Sequence, residues 1–146
     1  PFPGEQELLQ ILERTTGTRS QQPTRVLTGA QLLQMRAFVR AIPVAPTINR
    51  YVVRVLRATH PDDPHATDLV KRYVRFGGSP RGAQAILLAA RIRSLLNGRK
   101  TPSIDDVRAV APSALRHRVI LNFEGEAEGV AVDKVLNQVL TGFPTD

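Results

Sequence analysis

The chain has 146 residues, of which 42% are hydrophobic, and a formal net charge of +7, which is enough apolar sequence for one globular domain with a short appendage. It contains no cysteine, which excludes disulfides and thiolate metal sites and is compatible with a reducing compartment. Because no apolar run approaches the ~20 residues that cross a bilayer and no signal-peptide layout is present, we expect a soluble, cytoplasmic protein.

Two helices are predicted in the N-terminal third of the chain. Apolar residues at helical spacing predict an amphipathic helix over residues 4–15. A polar stretch with linker composition follows it. Thr28 then caps a second helix, whose apolar face consists of Leu32, Met35, Val39 and Ile42.

The third predicted helix has the clearest pattern, with apolar side chains at helical spacing from Ile48 to Thr59. The opposite face carries Arg50, Arg54 and Arg57. The loop over residues 60–68 contains side chains that can bind metal ions, namely His60, Asp62, Asp63 and His65. Two prolines and the lack of a recognised ligand spacing favour an ordinary loop, so we expect no metal site there. A short helical segment follows, through residue 73.

The segment from Gly77 to Arg99 predicts a turn followed by a long helix. Ser79 is a good N-cap, Pro80 has the backbone angle favoured at the first helical position, and the paired glycines allow a sharp turn. The helix is apolar apart from a narrow polar stripe through Gln84, Arg91 and Ser94. This pattern predicts a central position in a bundle.

Arg81 lies in the first turn of that helix. A cation there opposes the helix dipole at a cost of roughly 0.3–1 kcal/mol at an exposed site, so stability alone does not favour it. An anion nearby would reverse that balance, and a rigid helix would hold the guanidinium in a defined position toward the anion. The alternative interpretation is a solvated surface arginine beside a tight turn.

The C-terminal third combines helices with one strand. Ser103, with Asp105 and Asp106, caps a helix that ends or restarts at Pro112. The acidic run that follows residue 123 is predicted to be exposed, and a last amphipathic helix begins near residue 132. We therefore predict an all-α (mainly α) helical bundle, with one very short β pair formed by residues 74–76 and 119–122.

The positive charge is concentrated in residues 28–100, which carry thirteen basic and three acidic side chains. Such a field attracts nucleic acid, nucleotide phosphates or an acidic protein surface, and charge alone does not choose among them. A phosphate-binding P-loop is excluded because none of the lysines, Lys71, Lys100 and Lys134, follows a glycine. We therefore expect no catalytic residue and no ATP hydrolysis by this chain alone, and its start at Pro1 leads us to expect that a missing part holds the chemistry.

Four motifs resemble, in their order and spacing, the C-terminal lid domain of the MoxR family of AAA+ ATPases: "GGSPRG", "GRKTPSIDDV", "APSALRHR" and "EAEGVAVDKV". The similarity extends from about residue 28 to residue 142. The first residues, "PFPGEQELLQIL", resemble the helix that closes the nucleotide-binding core. The resemblance thus implies that residues 1–27 are the end of a AAA+ core with a linker, and that residues 28–146 are the helical lid.

The resemblance implies a sensor-2 role for Arg81, flanked by Ser79 and Pro80, as the arginine that a AAA+ lid offers to the γ-phosphate of ATP. The ATP and its Mg belong to the full-length parent, and we expect this fragment alone to bind neither. The nucleotide concerned is that of the same subunit or of a neighbouring one, since the lid is displaced in the chelatase-like branch. A family motif also matches residues 116–118, which are Arg116, His117 and Arg118. We interpret them as a candidate interface, and the alternative is that they are cations that stabilise the C-terminal end of a helix.

The preferred function is that of a nucleotide-sensing and oligomerisation lid in a chaperone-like ATPase that remodels proteins or inserts metal cofactors. Its expected partners are the AAA+ core of the same chain, neighbouring subunits of a homo-oligomeric ring, and a client or effector protein. The alternative is a nucleic-acid-binding module on a basic face that consists of Arg50, Arg54, Arg57, Lys71, Arg72 and Arg75. Few aromatic residues and no recognition-helix motif argue against it. A bundle that only docks a partner is the third candidate.

Overall fold

The structure is a computed structural model that describes residues 2–17 and 24–143, so most of the predicted linker lies outside the described residues. Contacts divide the chain into two compact units, Pro1–Gln34 and Met35–Asp146. The origin of residues 1–27 in a AAA+ core stays a prediction. No helix in the described ranges combines the length and apolar character needed to cross a membrane.

The first unit contains helix α1, Glu5–Thr16, and the start of helix α2, Gly29–Ala41. A side chain caps the first turn of each helix. At the start of α1, the Glu7 carboxylate accepts a hydrogen bond from the Gly4 N–H at 3.0 Å. At the start of α2, the Thr28 hydroxyl accepts from the Gln31 N–H at 3.1 Å, while the Gln31 side chain accepts from the Thr28 N–H at 2.8 Å. Both predicted helices are confirmed, and neither contains a buried residue.

The second unit contains six further helices and one strand pair, as far as the described residues extend. The helices are α3 (Pro46–Arg57), α4 (Asp68–Tyr73), α5 (Pro80–Leu96), α6 (Ile104–Leu115), α7 (Phe123–Ala127) and α8 (Val132–Thr141). Strands β1 (Val74–Phe76) and β2 (Ile120–Leu121) pair antiparallel, with Val74 opposite Leu121 and Phe76 opposite Ile120. The predicted mainly α bundle and its short β pair are confirmed.

The core of this unit is apolar and continuous across α3, α5, α6 and α8. Its most deeply buried side chains include Val55, Ile86, Val107, Leu115 and Val139, all with no exposed surface. Burial of each such side chain stabilises the fold by about 1.5–3 kcal/mol. The predicted inward stripes of α3 and α8 are confirmed, because their apolar residues at helical spacing are the ones that are buried.

Helix α5 buries a stripe of mostly small residues at a spacing of four: Gly82, Ile86, Ala90 and Ser94. Ser94 was predicted to lie on the polar side, which is wrong: it has no exposed surface, and its hydroxyl donates to the Arg91 carbonyl at 2.8 Å. Because that hydrogen bond stays within its own helix, a small serine can be buried at little cost. By contrast, Ile92 and Leu96 are 45% and 82% exposed. Helix α5 is therefore apolar on most of its surface although only one side of it is buried.

In the C-terminal third, the prediction that a helix ends or restarts at Pro112 was wrong, whereas the acidic run is largely exposed, as predicted. Helix α6 continues through Pro112 to Leu115, although proline removes one backbone donor. The acidic run contains the short helix α7, which Asn122 caps by accepting from the Gly125 N–H at 2.9 Å. Two carboxylates of the acidic run are paired, since Arg72 on α4 lies 2.6 Å from a Glu124 carboxylate oxygen and 3.0 Å from one of Glu128.

A buried carboxylate joins the end of α5 to the start of α6. Asp106 is 1% exposed and accepts two hydrogen bonds from the Arg99 guanidinium, at 2.6 and 2.7 Å. Ser103 completes the predicted capping box, with its N–H donating to Asp106 at 2.8 Å. Burial acts to raise the pKa of Asp106, but the hydrogen bonds from Arg99 and Ser103 outweigh it and hold the pKa below its usual value of 3.8.

We expect Asp106→Asn to lower the free energy of unfolding by about 1–3 kcal/mol near neutral pH, because an amide cannot accept both guanidinium hydrogen bonds. The native pKa is lowered, so the carboxylate stabilises the fold above 3.8 and loses this effect as the pH falls through the native pKa. The difference between variant and wild type should therefore shrink in acid, as measured by urea unfolding followed by circular dichroism. Asp105→Asn is the control, since Asp105 is exposed in the same helical turn. Equal losses in both variants, or a pH-independent difference, would contradict this account.

Candidate functional site

The predicted site lies where the segment Gly77–Gly82 enters α5. Ser79 is the N-cap residue and Pro80 is the first helical residue, as predicted, but the Ser79 side chain makes no capping hydrogen bond. Arg81 follows in the first turn, and its side chain is exposed. Within the described residues, no carboxylate or carbonyl oxygen lies within ion-pair or hydrogen-bond distance of its guanidinium.

Three glycines at this site provide space rather than an unusual backbone angle. Gly77, Gly78 and Gly82 all have ordinary φ values; among the described residues only Gly98 and Gly129 have positive ones. A Cβ atom at Gly77 would lie 2.7 Å from the Thr59 carbonyl oxygen and from the His60 ring. A Cβ atom at Gly82 would lie 2.7 Å from the Leu115 side chain. The start of α5 therefore packs closely against the C-terminal ends of α3 and α6. The sequence predicted that the glycines allow a sharp turn, and this explanation was incomplete because they also allow the close packing.

The N–H and the carbonyl of Gly78 are both hydrogen-bonded by the turn that follows α3. The Thr59 hydroxyl accepts from the Gly78 N–H at 2.8 Å. The His60 Nε2–H donates to the Gly78 carbonyl at 2.9 Å. Sequence reasoning placed His60 in a polar loop and missed both contacts, because hydrogen bonds between residues 18 and 19 positions apart have no local sequence signal.

The rest of that loop is organised by one carboxylate. Asp63 is buried, and its carboxylate accepts one hydrogen bond from the Arg57 Nε–H at 2.8 Å and another from the His65 N–H at 2.9 Å. The backbone hydrogen bond from His65, followed by the interactions with the His65 ring and Arg57, lowers the pKa of Asp63 against the effect of burial. No group of three potential metal-ligating side chains occurs in the part of the chain that the structure describes.

The candidate interface residues after α6 separate in the structure. Arg116 points to α8, where its Nε–H donates to Asp133 at 2.7 Å. The Arg118 guanidinium donates to the Ala114 carbonyl at 2.6 Å and contacts the His117 ring nitrogen. The Arg118 Cδ atom would lie 3.5 Å from a Cβ at Gly82, so this arginine lies along the first turn of α5. The structure thus brings Arg118, and not Arg116, to the helix turn that carries Arg81.

The predicted basic face is partly neutralised by contacts within the chain. Arg57 is paired with Asp63, and Arg72 is paired with Glu124 and Glu128. Arg50 and Arg54 line a shallow, open groove on α3 together with Asn49 and Val53. The surface available to a polyanion is therefore smaller than the count of basic residues indicates.

The chain is similar to known proteins over most of its length. The AAA lid domain family matches residues 66–139. Chaperone MoxR1 of Mycobacterium tuberculosis is 33% identical over 139 residues, which are 95% of this chain and 37% of that protein. Protein MoxR of Methylorubrum extorquens is 38% identical over 89 residues, which are 58% of this chain and 26% of that protein.

A crystal structure of a protein from Cytophaga hutchinsonii, described as a candidate ATPase, has the same fold. The TM-score is 0.81 and the sequence identity is 21%, and the match covers 100% of this chain and 44% of that one. At this identity the likeness concerns the fold alone. In each of these three matches, the chain spans less than half the length of the protein it matches.

We expect Gly77→Ala to lower the free energy of unfolding by about 1–3 kcal/mol, because the added methyl group would meet a backbone oxygen that cannot rotate away. Urea unfolding of the chain, followed by circular dichroism, measures this loss. The matched control is Gly29→Ala, since a Cβ at Gly29 meets nothing within 4 Å and alanine favours the helix. If Gly77→Ala is as stable as Gly29→Ala, the close packing at the start of α5 is not a constraint on the fold.

Proposed function

This chain belongs to the AAA lid domain family, as a lid of the MoxR type, and on that premise we propose that Arg81 is the sensor-2 arginine of a AAA+ ATPase. Its guanidinium would contact the γ-phosphate of an ATP that the ATPase core of a longer protein holds together with Mg. The lid itself supplies the sensing group and no catalytic residue.

The observation that supports this proposal most directly is the exposed Arg81 side chain on the first turn of an anchored helix. The positive end of the helix dipole disfavours a cation at this position, so the fold gains nothing from it. A phosphate anion would change the sign of that interaction and accept hydrogen bonds from the guanidinium at the same time. An arginine that formed an ion pair inside the bundle would not be available for this role.

The proposed mechanism follows from the chemistry of the guanidinium group. Its planar array of donors matches two phosphate oxygens, and its charge offsets that of the terminal phosphate. When hydrolysis removes that phosphate, the arginine loses its partner, and the lid loses one contact with the nucleotide. Because Arg81 is mounted on α5, whose N-terminal end is packed on α3 and α6, the gain or loss of this contact acts on the lid as a body.

The wider role is also a proposal. We place the chain in a homo-oligomeric, cytoplasmic ATPase ring in which the lid contacts the core of its own chain and of a neighbouring subunit, with Arg118 and His117 at that interface. The name of the relative Chaperone MoxR1 favours a chaperone-like activity. We propose that this activity is protein remodelling or metal-cofactor insertion. Nucleic-acid binding receives less support, because two of the six arginine and lysine residues of the basic face are held in ion pairs.

We expect Arg81→Ala in the full-length parent to lower ATP turnover ~10-fold or more, because a charge-stabilising contact to the γ-phosphate is lost. Arg81→Lys should recover only part of the activity, since an ammonium cannot form the bidentate contact. Steady-state ATPase assays measure both, with circular dichroism as the check on folding. Arg50→Ala is the control, because Arg50 is an exposed arginine on a different helix, α3. Unchanged turnover in Arg81→Ala would remove Arg81 from the mechanism.

A further inference from the structure

Gly78 lies three residues before Arg81, and both its N–H and its carbonyl are hydrogen-bonded. Thr59 accepts from its N–H at 2.8 Å, and His60 donates to its carbonyl at 2.9 Å. The Thr59 hydroxyl donates its own hydrogen to the Leu56 carbonyl at 2.6 Å, so its direction is fixed within α3. Two consecutive residues at the end of α3 therefore fix the two peptide groups on either side of the Gly78 Cα atom, in the segment that leads into α5.

The surroundings leave this contact little freedom to shift. Thr59 is 1% exposed, and a Cβ atom at Gly78 would lie 2.9 Å from the Leu56 side chain and 3.1 Å from that of Leu115. The segment is thus confined by packing on one side and by hydrogen bonds on the other. A rotation about the backbone bonds of Gly78 would break at least one of these hydrogen bonds and change the direction in which the first turn of α5 starts.

We propose that Thr59 and His60 are positioning residues for Arg81, which hold the N-terminal end of α5 in the one orientation that presents the guanidinium to the nucleotide. This inference rests on the proposed sensor function of Arg81. Groups that act on a reacting phosphate must be held to within about 0.5 Å, and a misplacement of about 1 Å can lower a rate by up to about 100-fold. The effect of Thr59 and His60 on turnover is therefore exerted through Arg81 and not through a contact with substrate.

His60 and Thr59 differ in how much they contribute to the fold. His60 is exposed, so its loss removes one partly buried hydrogen bond and little apolar packing. Thr59 is buried, and its removal leaves the Gly78 N–H without an acceptor. Removing His60 or Thr59 thus provides a mild or a strong perturbation of the backbone at Gly78, and the mild one should leave the bundle folded.

The test is a double-mutant cycle on ATP turnover by the full-length parent. Thr59→Val keeps the shape and removes the acceptor, and it should lower kcat about 5-fold to 10-fold. Thr59→Ser keeps the hydroxyl and should restore kcat to within about 2-fold of wild type. Because Thr59 acts through Arg81, Thr59→Val should cause no further loss in an Arg81→Ala background.

His60→Ala gives a second cycle with the smaller perturbation, and it decides the question if Thr59→Val fails to fold. His60→Gln should restore part of the activity, since an amide N–H can donate to the Gly78 carbonyl. The control is His65→Ala, because the exposed His65 contacts Asp63 in the same loop rather than Gly78. We expect the control to leave kcat and KM unchanged.

Two failures can be told apart. If Arg81→Ala alone has normal turnover, the proposed sensor function is wrong, and the positioning role is wrong with it. If Arg81→Ala lowers turnover while folded Thr59 and His60 variants have normal kcat, or lower it by the same factor with and without Arg81, the positioning role alone is overturned.

Discussion

The close approach of three helix ends is the constraint on which the rest of the structure depends. The Leu115 side chain, which has no exposed surface, lies against both Gly78 and Gly82, so the end of α6 reaches the start of α5 only because those residues have no side chain. Thr59 and His60 bring the end of α3 to the same point. The bundle is therefore closely packed at the end where Arg81 lies, and residues that stabilise the fold also hold the candidate site.

Ion pairing changes the meaning of the large positive charge in the middle of the chain. Arg57, Arg72 and Arg99 each face a carboxylate at 3.0 Å or less. These pairs join loops and helices within the lid and reduce the field that a long polyanion would meet. Arg81 differs from them, because it is exposed and no described carboxylate pairs with it. This contrast favours the binding of a compact anion at Arg81 over the binding of a nucleic acid along an extended basic surface.

The sequence was sufficient for the elements whose pattern is strong. The apolar stripes of α3 and α8 predicted both the helix and its buried face, and the cap residues Ser79 and Ser103 located the starts of α5 and α6. In α5 nearly every position is apolar or small, so periodicity could not tell the buried Ser94 from the exposed Leu96. That choice depends on which neighbouring helix approaches, which is a property of the folded chain.

The candidate site was predicted only in part for a similar reason. The first-turn position of Arg81 follows from local capping signals, and its role from a family resemblance. Its support by Thr59 and His60 depends on hydrogen bonds that cross from one helix end to another, and the loop composition around His60 indicated only a polar connection. The short helix α7 was missed because its acidic sequence is stabilised by Arg72, about fifty residues earlier in the chain.

The central claim is that Arg81 contacts the terminal phosphate of ATP. A structure of the full-length parent with a non-hydrolysable ATP analogue and Mg tests it most directly. The account predicts that the Arg81 guanidinium lies about 2.7–2.9 Å from a γ-phosphate oxygen, in its own subunit or in a neighbouring one. A nucleotide-bound ring in which Arg81 faces solvent, or forms an ion pair with a carboxylate of the core, would contradict it.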